Sequence, residues 1–359
     1  MKQLLISNSM QSKPHYPILD GLRGVAAILV VIFHLFEALF PVPANHPMHH
    51  GYLAVDFFFL LSGFVIGYAY DDRWNNMTIK EFFTIRLIRL HPMVVLSLII
   101  GVICFYLDPY TNGMANTSVL KLIGVFLLSI TLLPAPDIRG WAETHPLNGP
   151  HWSLLQEYIA NILYALFVRK MGKLALWILV IIAGIALTIT AAWHGDVATG
   201  WSFETIWIAF IRMLFPFFAG LLLFRSNKIV HLPFAFPIAS ILLMIMFFLP
   251  TFTYNGIYEA ACIIFAFPII VAIGAGEKIT GAWARICKFS GEISYPIYII
   301  HYPFIYIYTM WVVKIKPTAA EILPVAIGLF CLFILMAYTS LKLYDAPVRA
   351  WLKKKLFTK

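Results

Sequence analysis

Arg23 and His34 are separated by ten residues, Gly24 to Phe33, none of which can ionise. On an α-helix that separation comes to about 20° past three full turns, with a rise of about 16 Å. One cationic side chain then stands near a membrane surface, and the imidazole, on the same face, stands well inside. That spacing suits a ligand with an anionic head and a reactive tip at depth, such as a coenzyme A thioester. Asp56 and Glu157 each fall five residues into an apolar segment. In a bundle of alternating helices both reach a depth comparable with His34, where ionisable groups are costly enough to mark function. A histidine with a carboxylate beside it is a general base with an orienting partner. The structural alternative for either acid is to pair with a buried histidine or with Arg212, which lies within a later span.

Other residues offer chemistry and a plainer use side by side. Arg86 and Arg89, three apart, share a helix face. Their guanidinium groups suit phosphates, and equally suit an interfacial helix held by anionic lipids. Ser62, Gly63 and Gly67 read as small residues for close helix approach. Trp152 sits at a membrane boundary, where aromatic residues collect, but it precedes the buried Glu157. His301 is mid-span, either structural or a substrate contact. The loop histidines His46, His49 and His50 lack a supporting acid or cysteine, so no metal is expected. Cys104, Cys262, Cys287 and Cys331 follow no metal spacing and read as packing residues.

The elements that must position these groups follow from composition. The 359 residues are 61% hydrophobic and 12% charged, with a mean hydropathy of +0.84. A soluble domain of this size cannot hide so much apolar surface, so the chain is expected to be an all-α polytopic membrane protein. The first seventeen residues are polar and carry no cleavage pattern, which makes the first helix a retained span. Eleven apolar segments stand out: 24–40, 51–70, 92–107, 119–135, 152–168, 174–193, 205–224, 230–249, 257–275, 289–312 and 321–341. If 119–135 is re-entrant or interfacial, ten crossings remain and 21 of the 26 Lys and Arg fall on one side. The positive-inside rule makes that side cytoplasmic, with both termini there. Pro134 and Pro136 fit an interrupted segment at that place. The net charge of +9 belongs to this topology, and no nucleic-acid partner is expected. No internal repeat or linker is apparent, so one domain over 1–359 is the simplest organisation.

Six blocks in order carry a family resemblance. Leu19-Asp20-Gly21-Leu22-Arg23-Gly24 with Arg23–x10–His34 resembles the signature of the membrane-bound acyltransferase family 3. Val55 to Phe64 resembles its second-helix motif, and Arg86-Leu87-Ile88-Arg89-Leu90-His91-Pro92 its paired-arginine motif. Asn148 to Glu157 is similar to its Trp-Ser-Leu-x-x-Glu region, with Leu155-Gln156 where an acidic residue often precedes the Glu. Ser294 to Pro303 and Tyr344 to Arg349 complete the match, which covers about 15–350. The resemblance implies acyl transfer, usually of acetyl, from cytoplasmic acyl-CoA to a hydroxyl of a carbohydrate or similar acceptor. Some members carry an extracytoplasmic hydrolase-like domain. This chain stops eighteen residues after its last span, so a stand-alone enzyme modifying surface polysaccharide or its lipid-linked precursors is expected.

The resulting expectation is an O-acyltransferase of the bacterial inner membrane, embedded in the lipid bilayer and free of metal. Arg23, Arg86 and Arg89 would bind acyl-CoA. His34 would be the base, and Asp56 or Glu157 its orienting acid. Trp152, Tyr298 and His301 would contact the carbohydrate or glycolipid acceptor. Direct attack and an acyl-His intermediate both stay open, as do the acceptor, the acyl length and the oligomeric state. The rival from another class is a transporter or flippase using His34, Asp56 and Glu157 as a proton relay. Such folds show paired halves, and none is found in the sequence.

Overall fold

The segment bearing Arg23 and His34 is one helix, α1 (Pro17–Glu37), with a proline in its first turn, where the missing N–H costs nothing. The computed structural model describes residues 15–40, 42, 45–111 and 113–357. The terminal residues 1–14 and 358–359, which the sequence places with the cytoplasmic termini, lie outside the described residues. The chain continues through α2 (Ala54–Tyr70), α3 (Ile79–Leu107), α4 (Val119–Ile130), α5 (His151–Leu166) and α6 (Lys173–His194). Then come α7 (Ile206–Ser226), α8 (Ala235–Phe248), α9 (Asn255–Gly276), α10 (Gly281–Ile300), α11 (Tyr302–Ile315) and α12 (Ala319–Phe357). No strand occurs among the described residues. The protein is an all-α membrane protein.

α1 is the seam of the bundle. Its Leu29 and Val30 belong to one buried apolar cluster and its Ala27 and Val31 to another. The most extensive helix contacts are α1 on α10 and α2 on α7. Both depend on missing side chains, the means by which membrane helices gain van der Waals contact when water supplies no driving force. A methyl at Gly63 would strike the Phe217 carbonyl, and one at Gly220 would strike that of Leu60. Gly24 likewise faces Ser290, and Gly291 faces Asp20.

Among the described residues, seven helices are long and apolar enough to cross a bilayer: α1, α2 with its leading turn, α3, α6, α7, α9 and α12. The pair α10–α11 would make an eighth as one broken span. The expected count of ten is therefore not reached on length and composition, because α5 has 16 residues and α8 has 14. Segment 119–135 does fall short. The 12 residues of α4 rise about 18 Å against a hydrocarbon core of about 30 Å.

Two further expectations change. Residues 78–92 do not form a separate interfacial helix: Thr78 and Glu81 make a capping box, and α3 then runs unbroken for 29 residues through Pro92. Segment 289–312 is not continuous, since α10 and α11 bend by 55° at His301. Pro303 has no N–H for the Ile299 carbonyl, which instead accepts from Asn148 Nδ2 at 2.7 Å. The bundle thus has a basic end, where α1, α3 and α6 begin, and an opposite end, where loops 131–150 and 196–205 fold together through Thr144 N to the Trp201 carbonyl, 3.0 Å.

Candidate active site

His34 lies in the last turn of α1. Its Nδ1 meets Glu37 Oε2 at 2.5 Å, with side-chain exposures of 19% and 44%. A carboxylate at Nδ1 holds the proton there and leaves the Nε2 lone pair available to a substrate. The ring is fixed on its other sides by His301, stacked at 5.4 Å and 27°, and by Tyr302, edge-on at 4.9 Å. His34 and Glu37 form part of the wall of a cavity of about 620 Å³ at the loop-bearing end. Trp141, Trp152, Trp201 and Tyr298 contribute aromatic faces to it, with Arg212 and Glu143 as further polar groups.

The acid on His34 is therefore neither Asp56 nor Glu157. Asp56 is fully buried and takes Arg212 in two bonds, Nη2 at 2.5 Å and Nε at 3.2 Å. Arg212 also donates to the Thr199 carbonyl at 2.6 Å and lies 5.2 Å from the Trp152 ring centre. This is the pairing with Arg212 that the sequence offered as the plainer use of a buried acid. Glu157 accepts from Ser62 Oγ and from Arg86 Nη2, both at 2.6 Å. Ser62 lies six residues beyond Asp56 on α2, about 9 Å further toward the basic end. The expected common depth of His34, Asp56 and Glu157 does not hold for Glu157.

The arginines occupy the other half. Arg23 is tied to α10 through Ser294 Oγ (2.9 Å) and the Gly291 carbonyl (3.1 Å), and to Asp20 at 3.0 Å. Arg86 is buried against Glu157, with its Nε unpartnered among the described residues. Arg89 is exposed, in the field of both Arg86 and Arg23. The three form one positive cluster drawn from α1 and α3.

Of the expected acceptor contacts, Trp152 and Tyr298 do face the cavity. The Tyr298 hydroxyl shares a 2.6 Å bond with Ser153. His301 is fully buried behind His34, its Nδ1 bonded to the Ile297 carbonyl at 2.9 Å and its Nε2 unpartnered among the described residues. The loop histidines disperse: His46 bonds the Phe33 carbonyl, and His50 bonds Glu259 and the Pro250 carbonyl.

Sequence reasoning missed Glu37, although its offset of three from His34 on a helix was the signal. It also missed Glu143, which carries no local signal. Glu143 reaches the cavity from loop 131–150 and accepts from the Tyr306 hydroxyl. Burial pushes its carboxyl up to about 7, against the opposing pull of that hydroxyl and of Arg139.

An acyltransferase domain, that of acyltransferase family 3, matches residues 16–341. The chain belongs to this family. The matched region of this family-3 acyltransferase contains every residue of the site described above. Protein 2 in the picA locus of Rhizobium radiobacter is 32% identical over 192 residues, which is 51% of this chain and 98% of that protein. Acyltransferase MdmB of Streptomyces mycarofaciens is 32% identical over 166 residues, 44% of this chain and 40% of that protein. The O-acetyltransferase OatA of Staphylococcus aureus (strain NCTC 8325 / PS 47) is 25% identical over 365 residues, 95% of this chain and 58% of that protein. The chain thus spans less than two thirds of the length of the latter two. No solved structure matches it.

Proposed function

We propose that this family-3 acyltransferase moves an acyl group, acetyl above all, from cytoplasmic acyl-CoA to a hydroxyl of a carbohydrate or glycolipid acceptor. The observation that carries the proposal is the His34–Glu37 couple on the cavity wall. Glu37 holds the Nδ1 proton and steadies the imidazolium, as the acid does in a Ser-His-Asp triad. Nε2 takes the proton of the acceptor hydroxyl while its oxygen attacks the thioester carbonyl. Collapse of the tetrahedral adduct breaks the C–S bond, and the departing CoA thiolate recovers the proton from His34. The products are the ester and free CoA.

The donor would enter from the basic end, which on the positive-inside rule would be the cytoplasmic face of the bacterial inner membrane. Its phosphates would meet Arg23, Arg86 and Arg89, with the thioester reaching His34 about 16 Å further along α1. The aromatic cavity at the opposite end would receive the acceptor. Salt bridges hold Asp56 and Glu157 to arginines, which argues for catalysis over a proton relay through those acids. Incubating the purified chain in nanodiscs with isotope-labelled acetyl-CoA and cell-derived glycans or glycolipids tests the reading. Label in an alkali-labile ester on the acceptor is the expected result. Neither transfer nor acetyl-CoA hydrolysis, by a preparation that still binds CoA, would defeat it.

A further inference from the structure

A groove of about 650 Å³ lies away from the active site, on the outer face of the bundle between α6, α7 and α9. Its walls are apolar and its outer rim faces the membrane: Trp177, Ile181, Ile185 and Phe265 are half or more exposed. Two local features make the hollow. Pro268 cannot bond the carbonyl four residues back, and residues Cys262–Ala266 take up a π-turn, a distortion often found at functional places. Across from it, Gly184 leaves α6 without a side chain over Phe215.

The groove has a direction. Along α6 it extends from Trp177 to Ile189, about 18 Å, close to one leaflet of a hydrocarbon core about 30 Å thick. α6 and α7 run antiparallel, so its basic-end terminus is marked by Ser226, the last residue of α7, and by Lys228. Asn227 between them is left-handed, with φ 52°, and turns the chain there. Lys228 is exposed and, among the described residues, is the one charged residue in the wall. Arg225, by contrast, is taken up by Asp71.

We propose that this groove binds one acyl chain of an anionic glycerophospholipid from the leaflet at the basic end, with the lipid phosphate against Lys228 and Ser226. Lipid tails are as apolar as the walls, so burial gives no preference by itself. The shape admits a chain and the lysine selects the headgroup, a preference of about fivefold for one cation at a membrane surface. The site is separate from the transfer chemistry and stands whether or not that reading does.

Trp177 reports on it. The full chain is placed in phosphatidylcholine vesicles carrying a graded fraction of phosphatidylglycerol, or of phosphatidylcholine, brominated near the head of its chains. The Trp177 emission is taken as the difference between the native chain and Trp177→Phe. Brominated phosphatidylglycerol should quench at about a fivefold lower fraction than brominated phosphatidylcholine. Lys228→Gln, at an exposed position, should remove that difference while leaving quenching by phosphatidylcholine unchanged. Equal quenching by the two lipids in the native chain overturns the proposal, since it describes ordinary lipid contact. A preference that survives Lys228→Gln overturns it as well.

Discussion

Toward the basic end, carboxylates are taken up by guanidinium groups: Glu157 by Arg86, Asp71 by Arg225, Asp20 by Arg23. On the cavity wall, Glu37 is held by an imidazole and Glu143 by a tyrosine hydroxyl. Asp56 is also at the cavity end, but it serves to neutralise Arg212. A guanidinium keeps its proton at any physiological pH, so its pairs can bind and lock but cannot shuttle protons. An imidazole–carboxylate couple can. On the proposed reading, proton transfer would belong to the cavity and anion recognition to the basic end. On that reading the proposed donor site would be closed as it stands, because Arg86 would have to exchange Glu157 for a phosphate.

The sharpest way to break that division is His34→Gln. An amide keeps a donor and an acceptor but takes no proton, so transfer should fall by about 10²–10⁴-fold, the usual worth of a general base. Affinity for CoA, read by calorimetry, should stay the same. Residual transfer above about one-tenth would remove the base from this end of the molecule.

Next comes the lock. Arg86→Ala should weaken CoA binding by about 1.5–3 kcal/mol, the range for a charged hydrogen bond. Glu157→Gln should strengthen it, because the guanidinium no longer has to leave a carboxylate. If both variants bind CoA like the native chain, the pair is a strut and the donor site lies elsewhere.

A smaller effect is expected at Glu37, which is 44% exposed on its side chain, so water can replace part of what it gives His34. Glu37→Gln should lower kcat by about tenfold, well below the loss at the base itself, without changing the KM for either substrate. The comparison with Asp56→Asn is the informative one. That variant should act through Arg212 and show chiefly as lost thermal stability, since a buried ion pair broken on one side costs about 3–5 kcal/mol. A larger kcat loss at Asp56 than at Glu37, in a protein of native stability, would restore Asp56 as the orienting acid.

What the sequence made legible follows from what is local. The offset of eleven between Arg23 and His34, the apolar runs and the proline-marked interruption at 119–135 are all properties of neighbouring residues. They gave the all-α fold, the face of α1 and the short α4. Partner choice is not local. Asp56 and Glu157 look alike in sequence, each five residues into an apolar run, yet one meets α7 and the other α3. Only the close approach of α2 and α7 at Gly63 and Gly220 decides the first. Arg86 and Arg89 are three apart, yet one turns inward to Glu157 and the other stays accessible. Glu143 comes from a loop whose path depends on Trp201, far along the chain.

Glu143 gives the smallest and most specific test, because it should respond to pH in a direction opposite to that of an ion-paired acid. Its carboxyl is raised to about 7 by burial, whereas in the unfolded chain it would ionise near 4.5. The folded protein therefore holds one proton more than the unfolded chain between those values. Stability from this group is fully present below about 4.5 and is lost as pH rises through 7. The loss amounts to about 1 kcal/mol between pH 6 and pH 7. A carboxylate paired with arginine would do the reverse, losing stability as pH falls. Glu143→Gln imitates the protonated form and still offers an oxygen to the Tyr306 hydroxyl. Thermal unfolding in detergent at pH 5, 6, 7 and 8 should therefore separate the two proteins progressively, the native chain weakening with rising pH relative to the variant. Curves that stay parallel across that range would mean Glu143 is ionised throughout, with Arg139 as its effective counter-charge. The cavity end would then hold its acids as the basic end does, and the contrast between them would narrow to His34 and Glu37.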